Sequence, residues 1–86
     1  MNTPYVIRAV EYLGGFRLRL TFADGLVSDV DLSERLAGEL GPVFAPLKDP
    51  AFFAQVRVDA ELGTVVWPNG ADLAPDALRA RAAHLV

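Results

Sequence analysis

The chain has 86 residues, 52% hydrophobic and 22% charged, with a formal net charge of −3 and no cysteine. That size holds one domain with one core, and the missing thiols exclude disulfide staples and thiolate metal sites. The acidic balance, carried against seven arginines and a single lysine, argues against a sequence-independent grip on phosphate backbones.

The N-terminus, Met1-Asn2-Thr3-Pro4-Tyr5, has neither the basic region nor the apolar run of a signal peptide. The longest uncharged run, residues 62–71, is interrupted by Pro68 and is too short to span a bilayer. The expectation is a cytoplasmic protein with no membrane contact.

Tyr5 to Leu13 is rich in β-forming residues and ends at Gly14-Gly15, a hairpin signal. A two-residue turn at the glycines places Glu11 on the core side, and a three-residue loop places Arg8 there; both registers stay open. Phe16 to Phe22 alternates: Phe16, Leu18, Leu20 and Phe22 on one face, Arg17, Arg19 and Thr21 on the other. That pattern predicts a half-buried antiparallel strand.

The next turn has a specific register. A two-residue Asp24-Gly25 turn would set Asp29 and Asp31 opposite Leu20 and Leu18, on the apolar side. A three-residue Ala23-Asp24-Gly25 loop, with Gly25 left-handed, pairs Leu18 with Val30, Arg19 with Asp29 and Arg17 with Asp31. A one-residue slip flips every side chain, so the second register is the expected one.

Ser33 follows as an N-cap with Glu34 in the first turn of a short helix reaching about Leu40, stopped by Gly41-Pro42. Pro42 to Leu47 reads as irregular or 3₁₀ structure. Asp49-Pro50 opens another short turn, carrying Phe52 and Phe53. Gln55–Asp59 and Thr64–Trp67 read as a hairpin around residues 60–63. Pro75 starts the last helix, with Asp76 near its positive end and Leu78, Ala82 and Leu85 as its apolar stripe.

The order β-β-β-α-β-β-α predicts a small α+β domain over residues 1–86, with a mainly antiparallel sheet of about five strands and a C-terminal helix.

Two places hold candidate functional residues. The first is the charged face of Arg17, Arg19, Asp29 and Asp31, read either as a recognition face for a partner protein or as solvated ion pairs. The second is the loop after the sole tryptophan, where Trp67, Asn69, Asp72 and Asp76 could form a ligand pocket. In its structural reading Trp67 fills the core, Asn69-Gly70 takes positive φ, and Asp72 forms an Asx turn.

No catalytic, metal or cofactor site is expected. Asp29-Val30-Asp31 lacks the glycine and third oxygen ligand of a calcium loop. The serines sit in a strand and at a cap, His84 lies near the C-terminus, and Glu11 is a lone carboxylate. Two short helices around Gly41 carry Phe52 and Phe53 where a helix-turn-helix would read bases, so no direct nucleic-acid contact is expected.

The stretch Phe22-Ala23-Asp24-Gly25, then Val30-Asp31-Leu32, then Trp67-Pro68-Asn69-Gly70-Ala71-Asp72-Leu73-Ala74-Pro75-Asp76 resembles the bacterial family called domain of unknown function 2442, over about residues 5–78. The resemblance implies a small antiparallel α+β domain. It further implies short bacterial proteins encoded beside another small protein in a toxin–antitoxin-like arrangement, sometimes fused to a helix-turn-helix domain, so that a DNA contact would come from elsewhere.

The functional expectation is a small non-catalytic protein-interaction module, antitoxin-like or a regulatory accessory, whose partner is another small protein or a second copy as a homodimer. The alternative is a small-ligand sensor or cryptic enzyme using the Trp67–Asp76 loop.

Overall fold

A computed structural model describes residues 5–38 and 41–84, with side chains through residue 81. Ile7–Gly14 (β1), Arg17–Phe22 (β2) and Val27–Asp31 (β3) form a three-stranded antiparallel sheet in the order β1-β2-β3. Ser33–Leu36 (α1), a 3₁₀ turn over Ala45–Lys48 and Pro50–Phe53 (α2) follow. Arg57–Asp59 (β4) and Thr64–Val66 (β5) make a separate two-stranded antiparallel sheet, and Pro75–His84 (α3) closes the chain. The five expected strands are therefore split three and two.

The β2–β3 register is the one that keeps acids out of the core. Leu18 faces Val30, Arg19 faces Asp29 and Arg17 faces Asp31. The Phe22 amide donates to the Leu26 carbonyl at 2.8 Å, and Gly25 turns the loop with φ of 95°. That conformation costs glycine little.

The first hairpin resolves its conflict by a route that a single register does not provide. Tyr12 pairs with Leu18, Val10 with Leu20, Glu11 with Arg19 and Ala9 with Thr21; the register then shifts, and Ile7 pairs with Phe22. Two irregularities each add one residue to β1: the one between Tyr12 and Gly14 keeps Glu11 outside, and the one at Arg8 puts Ile7 in the core and leaves Arg8 exposed. Neither charged residue has to face the core.

Helix α1 differs from expectation at its start. Leu32, not Ser33, occupies the N-cap position, and the Ser33 amide donates instead to Asp31 Oδ1 at 2.8 Å. The helix ends at Leu36; residues 39–40, within its expected span, lie outside the described residues. At α2 the cap is as expected, with Ala51 N–H donating to Asp49 Oδ1 at 3.0 Å and Pro50 in the first turn.

One cluster forms the core. Leu18, Leu20 and Phe22 from β2 meet Ile7, Val30, Leu32, Leu36, Leu47, Phe53, Val65, Trp67, Ala71, Leu73 and Leu78. Phe53 is its aromatic hub, with ring centroids 6.1 Å from Tyr12, 5.3 Å from Phe16 and 5.5 Å from Trp67.

Helix α3 packs against β3 through its buried Leu78. Of the expected stripe, the Ala82 side chain and Leu85 lie outside the described residues, as does the His84 side chain. No helix among the described residues is long and apolar enough to cross a membrane.

Candidate functional site

Alternation on β2 drives Leu18, Leu20 and Phe22 inward and so forces Arg17, Arg19 and Thr21 outward. The antiparallel register sets Asp29 and Asp31 beside the arginines, and β1 adds Glu11 next to Arg19. The result is an open, charged sheet face with the row Glu11–Arg19–Asp29 running across three strands.

Within that row the contacts are unequal. Arg19 grips Asp29 bidentately, Nε to Oδ1 at 2.8 Å and Nη2 to Oδ2 at 3.2 Å, while Nη1 lies 3.9 Å from Glu11 Oε1. The Arg19 hydrogen bond holds the Asp29 carboxyl below the usual carboxylate range, and the same contact raises the guanidinium pKa. Asp31 behaves differently. Its carboxyl is lowered first by Ser33 and only then by the charges of Arg17 and Arg81. It therefore serves the start of α1, and Arg17 forms no ion pair among the described residues.

Four residues singled out in the sequence thus share one face, and Glu11 joins them. The side Glu11 takes depends on the register shift between Tyr12 and Gly14, which no local pattern marks.

The tryptophan loop has another geometry. The Trp67 indole is buried, and its Nε1 donates to the Phe53 carbonyl at 2.9 Å. Asn69 spends both ends of its amide: Nδ2 donates to the Val43 carbonyl at 2.7 Å, and Oδ1 accepts from the Ala71 amide at 3.1 Å. The Asx turn expected at Asp72 is therefore made by Asn69. Positive φ falls on Gly70 at 87° and not on Asn69. Asp72 is exposed and bridges to Val66 through its backbone, and Asp76 sits in the first turn of α3. Through Trp67 and Asn69 the loop ties α2, the segment around Val43 and the second sheet together.

Arg79 escaped sequence reasoning altogether. From α3 its Nη1 and Nη2 meet Asp24 Oδ1 and Oδ2 at 3.1 and 2.8 Å, and its guanidinium lies 5.0 Å from the Tyr5 ring centroid and 4.9 Å from that of Phe22. Nothing local marks it, because Asp24 is 55 residues away.

The fold is shared with a solved structure. Putative DNA Binding Protein NE0471 from Nitrosomonas europaea ATCC 19718 superposes with a TM-score of 0.76 at 34% identity, over 92% of this chain and 49% of that one. The present chain thus spans about half the length of that relative. This neighbour corrects the expectation that nucleic acid plays no direct part: a chain of this fold, 34% identical, carries the description Putative DNA Binding Protein. That expectation rested on the acidic net charge and on the lack of a reading helix, and neither property speaks for the longer relative.

No curated protein matches the chain. The family model for a protein of unknown function, DUF2442, matches residues 7–84, and the chain belongs to that family.

Proposed function

We propose that this chain is a small non-catalytic protein-interaction module, an antitoxin-like or regulatory accessory that works in the cytoplasm within a DNA-associated assembly. The observation that carries this reading is the exposed face of Glu11, Arg17, Arg19, Asp29 and Asp31. It is laid on a rigid three-stranded sheet and backed by the core. Arg19 is held in plane by its bidentate contact, whereas Arg17 is exposed and without an ion pair among the described residues. An arginine so placed can offer a planar fork to a partner carboxylate. Charged faces of this kind set partner choice and association rate more than raw affinity.

The DNA-associated setting is supported by the Nitrosomonas relative. A second reading, direct contact with duplex DNA, has the same support.

Both readings are tested together. Tagged protein is captured at native expression level from its own host, beside the Arg17→Glu/Arg19→Glu variant, and fluorescence anisotropy with a duplex measures DNA binding across a salt series. One stoichiometric protein partner, lost in the variant while the circular dichroism is unchanged, supports the interaction module; unchanged capture removes this face. Binding to the duplex whose log affinity falls linearly with log salt supports the second reading.

A further inference from the structure

The three-stranded sheet has two edges, and they differ. In β2–β3 the pairs Phe22–Leu26 and Phe16–Leu32 carry backbone hydrogen bonds between strands. By strict alternation the free N–H and C=O groups of β3 then belong to Val27, Asp29 and Asp31. That edge carries two exposed aspartates, Asp29 and Asp31, charges that discourage pairing with another strand.

The same alternation turns the backbone groups of Val10 and Tyr12 on β1 away from β2. At the start of this edge the Ile7 amide is taken by the Gly63 carbonyl at 2.9 Å. Beyond it, Val10 and Tyr12 have no backbone partner outside the sheet among the described residues. Neither proline nor lysine guards the stretch. At the Ile7 end of the edge, where β1 also packs against β4 and β5, lies a groove of about 350 Å³ lined by Val6, Ile7, Arg8, Val58 and Ala60. Its one charged side chain, Arg8, is exposed and forms no ion pair among the described residues, and Arg57, next to Val58, is likewise exposed and unpaired.

We infer that the β1 edge accepts an extended segment of a partner protein as a fourth strand, with an apolar side chain entering the groove and a carboxylate meeting Arg8. Strand addition draws affinity from main-chain hydrogen bonds and specificity from alternate side chains. A second copy of this chain fits the edge less well. Antiparallel self-pairing centred on Val10 sets Glu11 opposite Ala9 and Arg8 opposite Tyr12, and self-pairing centred on Glu11 opposes two carboxylates; neither gives Arg8 an acid. The inference rests on the reading of the chain as an interaction module but uses a different surface from the Arg17/Arg19 face.

The test titrates the isotopically labelled full chain with a synthetic peptide, acetyl-Thr-Val-Asp-Val-Asp-Val-Thr-amide, and with its lysine-for-aspartate counterpart, followed by amide NMR. The acidic peptide is expected to shift the Val10 and Tyr12 amides and slow their hydrogen exchange by about tenfold. Val10→Pro removes an outward donor without a ladder bond and should abolish the effect. Arg8→Glu should reverse the preference toward the lysine peptide, independently of how well the proline variant folds. The Arg17→Glu/Arg19→Glu variant should bind the peptide unchanged, so failure of the charged face and failure of this edge are distinguishable. No shifts at about 1 mM peptide, shifts confined to other residues, or equal binding of both peptides would overturn the inference. So would a dimer in light scattering that Val10→Pro converts to monomer, which assigns the edge to a second copy.

Discussion

The indole Nε1 of Trp67 donates to the carbonyl of Phe53 across 2.9 Å, joining the end of β5 to the last residue of α2 inside the core. The two rings also lie 5.5 Å apart. A donor buried here without that carbonyl would be costly. Trp67→Phe keeps most of the apolar volume and loses the hydrogen bond, which predicts a loss of about 1–2 kcal/mol. Trp67→Ala leaves a cavity as well and should cost about 3–5 kcal/mol. Urea unfolding followed by circular dichroism separates the two; equal losses would mean that the ring volume is not what Trp67 contributes.

Arg79 is expected to matter more than its ion-pair partner. Asp24→Ala removes only the carboxylate, while Arg79→Ala also removes the guanidinium stacked over Tyr5 and Phe22. The melting temperature should therefore fall further for Arg79→Ala. Because the ion pair is partly exposed, the coupling in a double-mutant cycle should shrink as salt is added. A coupling that does not respond to salt would assign the helix docking to stacking alone.

Acid should weaken the fold through the aspartates. The Asp24 carboxyl is lowered by Arg79, that of Asp29 by Arg19 and that of Asp31 by Ser33. A carboxyl whose folded pKa lies below its unfolded value adds stability above the unfolded pKa, about 3.9. That stability is lost as pH falls through the lower folded value. The urea midpoint should hold steady from pH 7 to about 4 and then drop. Arg19→Gln should show a smaller drop, since Asp29 then titrates closer to its ordinary value.

Gly25 tests the turn chemistry. Its φ of 95° is strained for any residue with a Cβ, yet nothing lies within 4 Å of where that Cβ would stand. Gly25→Ala should therefore cost about 1–2 kcal/mol, from the backbone alone. Gly25→Asn should cost less, because asparagine tolerates the left-handed region. Equal unfolding midpoints for the two variants would contradict this.

Alternation in β2 and β3 was enough to determine their pairing, because a one-residue slip drives Asp29 and Asp31 into the core, a cost that no local compensation offsets. The strand order, the Asp49 cap and the shared face of Arg17, Arg19, Asp29 and Asp31 follow from the same short-range chemistry. The candidate face was legible for that reason, but its pairing was only half so. Asp31 turns to the Ser33 amide two residues away, which is nearer in the chain than Arg17 across the ladder. Asn69 likewise takes the Asx role expected of Asp72, since the Ala71 amide is within its reach and Val43 receives its other end.

What the residues alone determined was the β2–β3 pairing set by a period of two and the Asp49 cap set by its immediate neighbours. What only the tertiary structure decided was each choice between two nearly equal local solutions and each contact between distant segments. The irregularities at Arg8 and between Tyr12 and Gly14 appear only when the whole sheet has to bury Ile7 while leaving both Arg8 and Glu11 in water. Arg79 finds Asp24, and Trp67 finds Phe53, because packing of helices and sheets around one core brings together groups that no sequence spacing relates.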